Sequence, residues 1–441
     1  VSYEEFIDND LIHFSKYDND RSIPNLIDGL KISQRKILCS AFKKNLTSEI
    51  KVAQFSGYVS EQSGYHHGEA SLNGTIIGLA QDFVGSNNIN LFEPLGQHGT
   101  RIKGGKDAAS ERYIFTNLNR LTRLIFPEID NKILTYLDDD GVIVEPIYYV
   151  PIIPMVLVNG CKGIGTGFST DIMCHNPLQI IEKLECLLNY EESHSEIEIE
   201  PYYKGFRGTI EKIPDHINKT KYSKYLLKGI YEKIGNDKIR ITELPIGSWT
   251  QDYKEFLESL ITTSKDKGKD KEKATSTESY IKDYTDMSTD TNVEFIVSYY
   301  PGMLIKSMLE KHENGIDGVQ KLLKLYCLHS TSNMHLFNER EQLKHYDNVN
   351  EIIEEYYSIR LEYYNKRRTN QIDQLNKELI ILSNKAKYIG DTLDDKIDLR
   401  KKSRDTIDLM MEAMKFEKIE TNNTLNFNYL IKMPMDSVCQ E

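Results

Sequence analysis

The stretch Gly104-Gly105-Lys106-Asp107-Ala108-Ala109-Ser110-Glu111-Arg112-Tyr113 joins a glycine pair and small side chains to an Arg-Tyr dyad. Such a backbone can approach a phosphodiester closely, and a guanidinium beside a phenol can donate to a phosphate oxygen as charge develops. The chemistry that fits is attack of the phenolic oxygen on phosphorus. A phenol in water titrates near about pH 10, so attack at neutral pH calls for a nearby cation, metal or base. The chain has 27 tyrosines, and the competing reading of Tyr113 is a structural ring leading into a surface helix at Thr116 to Ile125.

Three other motifs invite chemistry. Tyr65-His66-His67-Gly68-Glu69 suggests zinc, but adjacent histidines on a regular element point apart and no further ligands follow at i+4, so phosphate hydrogen bonding or proton transfer fits better. Asp138-Asp139-Asp140-Gly141 resembles a magnesium cluster; a turn before the strand Val142 to Glu145 explains it more simply. Gly163-Ile164-Gly165-Thr166-Gly167 is glycine-rich, yet the Walker lysine and a following helix are missing, which argues against a nucleotide site.

The net charge of −12 alone would speak against a nucleic-acid partner. Local clustering reverses that, because cations gather at Lys31, Arg35 and Lys36, at Arg101, Lys103 and Lys106, and at Arg112, Arg120 and Arg123. Six cysteines lie at least 12 positions apart, which argues against both a CxxC zinc site and a disulfide framework and reads as reduced intracellular thiols. No apolar run approaches eighteen residues and no signal peptide is visible, so no membrane association is expected.

With 441 residues the chain exceeds one ordinary domain, and the elements divide it. Residues 1–175 alternate short apolar runs with glycine-rich turns. A helix is expected over Ser33 to Phe42, preceded by the Asp28-Gly29 turn and another helix around Ile7, Leu11 and Ile12, a helix-turn-helix spacing. Residues 176–330 mix strands (Gly208 to Ile213, Lys238 to Thr242, Val293 to Ser298) with helices. They are interrupted by a lysine-rich, apolar-poor stretch, 262–291, expected to be a flexible insertion. From Asn348 to Leu382 neither Gly nor Pro occurs, and Val349, Ile352, Tyr356, Ile359 and Tyr363 step by three and four. That predicts a helix of about 50 Å that must find a partner. A charged irregular segment and a strand or turn at Phe427 to Met435 complete residues 331–441, and a returning partner helix is expected beyond Glu441.

Taken together, Arg21-Ser22-Ile23-Pro24, Asp28-Gly29-Leu30-Lys31, Gln34-Arg35-Lys36, Tyr65 to Glu69, Ile76 to Gln81, Gly104 to Tyr113, Tyr148 to Met155 and Asn159 to Thr170 resemble the DNA-cleavage core of type IIA DNA topoisomerases. The resemblance returns at Leu336-Phe337-Asn338 and Ile352 to Arg368. Arg112-Tyr113-Ile114-Phe115-Thr116 looks like the eukaryotic topoisomerase II branch, which large DNA viruses share, since a bacterial gyrase would read Arg-Tyr-Thr-Glu.

The resemblance implies a multidomain α/β (α+β) chain: a winged-helix domain at 1–175, an α/β tower at 176–330, and a coiled-coil arm with dimer gate at 331–441. It implies that Tyr113 is the nucleophile, forming a 5′-phosphotyrosyl link, with Arg112, Arg21 and His67 holding the scissile phosphate. His66, Lys31, Arg35, Lys36, Arg101 and Lys106 become DNA contacts, and Ile164 a wedge between base pairs. The partners implied are double-stranded DNA, a second copy in a homodimer, and the Toprim and ATPase regions of the same polypeptide, which would bind Mg2+ and ATP outside this chain. Location follows source: the nucleus if eukaryotic, host cytoplasm, viral factory or virion if viral. The alternative is a non-catalytic DNA-binding or chromosome-scaffold protein on the same fold.

Overall fold

The computed structural model describes residues 2–65, 67–189, 197–218, 220–266, 280–421 and 424–434. The chain forms two compact units, Val1–Leu361 and Glu362–Glu441.

The first unit begins with helical turns from Tyr3 to Ser22, including a π turn at Ile7–Leu11. The Asp28-Gly29 turn then leads into the helix Ile32–Lys44, where the Gln34 side chain accepts from the Lys31 amide at 2.9 Å and so satisfies a donor at the helix start. Gly29 has φ +67°, and a Cβ there would lie 2.4 Å from the Val156 nitrogen, so only glycine fits. Two further helices, Val52–Ser63 and Glu69–Ala80, pack against Ile32–Lys44 around buried Ile37, Leu38, Phe55, Leu72, Ile76 and Phe92. Asp140 and Gly141, both at positive φ, close the hairpin of Tyr136–Asp139 and Val142–Pro146, and Asp138 accepts from the Gly141 amide. The triple aspartate thus runs from the end of a strand, Asp138 and Asp139, into the turn at Asp140.

The following residues build two antiparallel sheets. One is ordered Ile281–Asp286, Phe295–Tyr299, Lys238–Glu243, Ile230–Lys233 and packs with helix Thr250–Asp266 around Ile239, Ile241, Leu257, Phe295 and Val297. The other pairs Tyr326–Ser330 with Lys224–Lys228 and Thr209–Lys212. The expected flexible insertion at 262–291 needs correction at both flanks: its start belongs to helix Thr250–Asp266 and its end to strand Ile281–Asp286, paired with Phe295–Tyr299. The apolar period of Leu257, Leu260 and Ile261, and the pairing surface of an existing strand, outweigh a polar composition. Residues 267–279 lie outside the described ones.

The long helix runs further than the sequence suggests, Val349–Leu393, continuing through Gly390 although glycine in a helix interior costs about 1 kcal/mol relative to alanine. Within the first unit, Tyr356 bonds the Pro151 carbonyl, and Arg360 donates to Asp130 and to the Val150 carbonyl, both at 2.8 Å. In the second unit Ile372, Leu375, Leu379 and Leu382 are exposed, while Tyr388, Ile397, Ile407, Met411, Phe416 and Phe427 form a separate core. Two expectations change here: the irregular charged segment contains the helix Arg404–Ala413, capped by Ser403, and the strand or turn after Phe427 is a short helix, Asn428–Ile431. Among the described residues no helix is long and apolar enough to cross a membrane.

His175 sits fully buried where the first helical layer meets the sheets, and burial depresses its imidazole to about 4 from 6.5. The unfolded chain therefore takes up a proton near pH 6.5 that the folded one resists until about pH 4. Stability must fall as pH drops through that window, by about 1.4 kcal/mol per unit. Urea unfolding of wild type and His175→Asn between pH 7 and pH 4.5 should show the gap between them closing at that slope; parallel curves would assign the loss to other groups.

Candidate active site

Tyr113 stands at the end of a loop, residues 96–113, that is braced at every turn. Gly104 and Gly105 take φ +61° and +83°; a Cβ on the first would lie 2.3 Å from the Trp249 ring and on the second 2.3 Å from the Gln81 amide, so side chains are excluded by contact as well as by conformation. The Asp107 carboxylate accepts from the Thr100 amide at 2.9 Å and its hydroxyl at 2.5 Å, closing the loop on itself.

The loop also finishes two helices. The first amides of a helix lack partners inside it. Val52 and Ala53, which open helix Val52–Ser63, donate to the carbonyls of Ile114 and Glu111 at 3.0 and 3.1 Å. Thr250 and Gln251, opening helix Thr250–Asp266, donate to Arg101 and Ile102 at 3.3 and 2.9 Å. Ile114 is buried and Phe115 enters a strand pairing with Lys51, so the neighbouring Tyr113 side chain is directed outward, 77 % exposed. The expected helix from Thr116 is corrected: Phe115–Thr116 is a strand, and the helix begins at Arg120, capped by Asn119. Arg112 is exposed beside Glu111, and Lys103 and Lys106 are exposed on the same loop.

A second group gathers around the helix Ile12–Ser22. Tyr17 and Arg21 are four residues apart and share a face. The Tyr17 hydroxyl bonds the His67 ring, which the Tyr65 ring meets edge-on at 5.4 Å. His67 thus joins the Arg21 face through Tyr17, a residue that the sequence reading missed and whose one signal is its i, i+4 spacing from Arg21. His66 lies outside the described residues. The tyrosine loop and the His67 turn attach to opposite ends of helix Val52–Ser63, about 18 Å apart along its axis.

Ile164 sits at the tip of a hairpin, Cys161–Ile164 with Ser169–Ile172, and is 77 % exposed. The hairpin seats on the end of the Arg21 helix: a Cβ on Gly163 would lie 2.0 Å from the Ser22 carbonyl, Asn19 donates to the Thr166 carbonyl at 3.0 Å, and Thr166 donates to Asp18 at 2.8 Å. Lys31 donates to the Lys162 carbonyl at 2.8 Å, and burial pulls its ammonium below the ordinary lysine value. Lys31 and Lys162 line a cavity of about 150 Å³ with Gln34, Asn87 and Asn159.

Three expected DNA contacts are placed elsewhere. Arg35 is buried on Asp28, with Nε and Nη2 at 2.7 and 3.1 Å and a further bond to the Leu30 carbonyl. Arg101 is buried on Glu243 at 2.5 Å. Lys36 reaches the Ser63 carbonyl at 2.7 Å and nearly buried Glu145 at 2.8 Å. Each cation neutralises a carboxylate that has left water, which is why a run of basic residues need not face DNA. Glu243 had a signal: in Lys238–Glu243 alternate residues face inward, and an acid at an inward position requires a cation.

Residues 21–441 match the family model for the A-type subunit of DNA gyrase/topoisomerase IV. DNA topoisomerase 2 of Arabidopsis thaliana is 45% identical over 404 residues, 92% of this chain and 26% of that protein. The mitochondrial DNA topoisomerase 2 of Dictyostelium discoideum is 39% identical across 100% of this chain and 32% of its own length. The chain thus spans about a quarter to a third of these relatives. A crystal structure of the Plasmodium falciparum topoisomerase II DNA-binding, cleavage and re-ligation domain superposes with a TM-score of 0.84 at 41% identity, covering 100% of this chain and 59% of that one.

Removing Asp28 should leave the Arg35 guanidinium buried without a counter-charge, at a cost of about 3–5 kcal/mol, and Asp28→Ala with Arg35→Met should recover only part of it in denaturant melts, because the Leu30 and Tyr149 amides stay without their acceptor. Lys106→Ala should lower the slope of log affinity against log salt for duplex DNA by about one, while the Asp28/Arg35 double variant leaves it alone. An equal change in both slopes would put Arg35 back on DNA.

Proposed function

The chain belongs to the DNA gyrase/topoisomerase IV family, on its A-type side, and from that premise we propose that it is the DNA-cleaving core of a eukaryotic-type topoisomerase II acting on double-stranded DNA as a homodimer. The observation that carries this reading is the exposed Tyr113 phenol beside Arg112, on a loop whose turns leave it little freedom to move. Fixed geometry matters because catalysis of phosphoryl transfer is mostly positioning and charge stabilisation.

In this reading the Tyr113 oxygen attacks phosphorus and loses its proton. The bond to the 3′ oxygen breaks, and that oxygen gains a proton to leave as a hydroxyl. The phosphotyrosyl ester keeps the free energy of the cut bond, so the same hydroxyl reseals the strand by the reverse step. Arg112, beside the phenol, holds the phosphate oxygens as charge grows, and Arg21 with His67, attached at the far end of helix Val52–Ser63, hold phosphates of the same bound duplex. Lys31, Lys106 and the exposed Lys162 carry the flanking backbone, and Ile164 enters between base pairs, bending the duplex.

The helices Ile32–Lys44, Val52–Ser63 and Glu69–Ala80 with the Tyr136–Pro146 hairpin make up the winged-helix part within 1–175. The two sheets are the tower within 176–330, and helix Val349–Leu393 is the coiled-coil arm leading to the gate within 331–441. Among the described residues no group of three His, Cys, Asp or Glu side chains is placed to hold a metal ion. Mg2+ and ATP are assigned to Toprim and ATPase regions of a longer polypeptide, and the whole enzyme, relaxing and decatenating DNA, to the nucleus.

In full-length protein with Mg2+, Tyr113→Phe should abolish the covalent protein–DNA adduct while changing duplex affinity less than about twofold, since one contact among many carries little binding. Persistence of the adduct would remove Tyr113 from the reaction, and a protein that binds but never forms one would be a scaffold. Arg112→Ala should slow cleavage by about 10²–10³ with affinity nearly intact, the signature of a contact made in the transition state. A large affinity loss with normal cleavage would reject that role.

A further inference from the structure

An apolar side chain that unstacks base pairs is pushed back by the stacking it breaks, so its support decides how well it works. Ile164 pairs directly across its hairpin with Ser169, and Gly165 donates to the Phe168 carbonyl at 2.9 Å to close the tip. The side of the hairpin away from the Arg21 helix meets residues some 165 positions further along the chain. His335 Nδ1 lies 3.0 Å from the Ser169 carbonyl and 3.2 Å from the Asn333 Oδ1. Asn333 donates to the Ser169 hydroxyl at 2.8 Å, and its carbonyl accepts from the Asp171 amide at 2.8 Å.

The His335 ring meets Phe168 edge-on at 5.8 Å and His345 at 4.8 Å. Both neighbours of His335 on Nδ1 are acceptors, so that nitrogen carries the hydrogen and donates to Ser169. Burial first, then the adjacent His345, push the imidazole below the ordinary histidine value, which favours this neutral form. The strand that carries His335 is itself tied to the turn after Arg21: Leu26 donates to the Phe337 carbonyl at 2.8 Å and Phe337 to the Pro24 carbonyl at 3.1 Å. One short strand thus couples the Ile164 hairpin to the segment that bears Arg21.

We propose that His335 is a positioning residue for DNA bending: its Nδ1 hydrogen bond to Ser169 and its ring against Phe168 hold the hairpin so that Ile164 enters the duplex rather than folding back. This rests on the reading of Ile164 as a wedge. The side chain acts through the backbone opposite Ile164, by its contact with the Ser169 carbonyl. Its loss therefore weakens bending, and cleavage only as far as cleavage needs the bend.

The test uses the full-length protein with end-to-end fluorescence transfer and cleavage on two labelled duplexes, one intact and one with a mismatch at the insertion step that is already easy to unstack. His335→Ala should lower the bent fraction on the intact duplex about tenfold, the size of one lost hydrogen bond, and recover on the mismatched duplex. His335→Asn, whose Nδ2 can stand where Nδ1 donates, should recover most of the bending lost in His335→Ala; His335→Phe, which keeps the ring against Phe168 and loses the donor, should recover less. Wild-type bending by His335→Ala, or an equal deficit on both duplexes with a lowered melting temperature, overturns the proposal while Ile164→Ala still abolishes bending. If Ile164→Ala itself bends normally, the wedge reading falls and takes this role with it.

Discussion

The structure depends on one buried carboxylate. Asp28 is fully enclosed and accepts from four donors: the Leu30 amide at 3.0 Å, the Tyr149 amide at 3.0 Å, and two guanidinium nitrogens of Arg35. A charge taken out of water is tolerable only with its lone pairs satisfied and a counter-charge in contact. Meeting that condition locks the turn after Arg21, the helix Ile32–Lys44 and the chain at Tyr149 into one arrangement. Everything that stands on the surface around Arg21, Lys31 and Ile164 inherits its position from that lock.

Glu243 applies the same device to the other half of the site. It is fully buried, accepts from Arg101 and from the Leu244 amide, and lies 3.6 Å from the Arg207 guanidinium. Arg101 belongs to the tyrosine loop, so the loop is fastened to the sheet that contains Lys238–Glu243 as well as to the helices it caps. The tyrosine's exposure thus results from burial nearby: its neighbours are held so firmly that its ring is left outside. Cations divide accordingly. Arg35, Lys36 and Arg101 neutralise interior acids, and Arg21, Lys103, Lys106, Arg112 and Lys162 are left exposed on a chain of net charge −12.

Much of this was legible in the chain. The long helix, the helix Ile32–Lys44, the alternating strands and the turn at Asp138–Gly141 follow from apolar period and turn chemistry, which are local properties. The polar flanks of the 262–291 stretch misled because a strand such as Ile281–Asp286 is specified by the partner it pairs with, not by its own pattern. At the site, Tyr113, Arg112 and Ile164 were found by motif, and all three are exposed. Tyr17 and Trp249 were not, and Gln81 and Asp107 stood inside motifs without a role of their own, since nothing in their immediate sequence says what they will face.

The sequence by itself determined which residues carry chemistry and where the chain turns, because glycine, proline, charge and apolar spacing act over a few neighbouring positions. Tertiary structure alone decided which cations face solvent and which disappear into the core, and it alone brought His335 behind Ile164 and Arg101 onto Glu243. The physical reason is that burial is a property of the whole packed chain: a guanidinium reads the same in sequence whether water or a carboxylate from 142 residues away surrounds it.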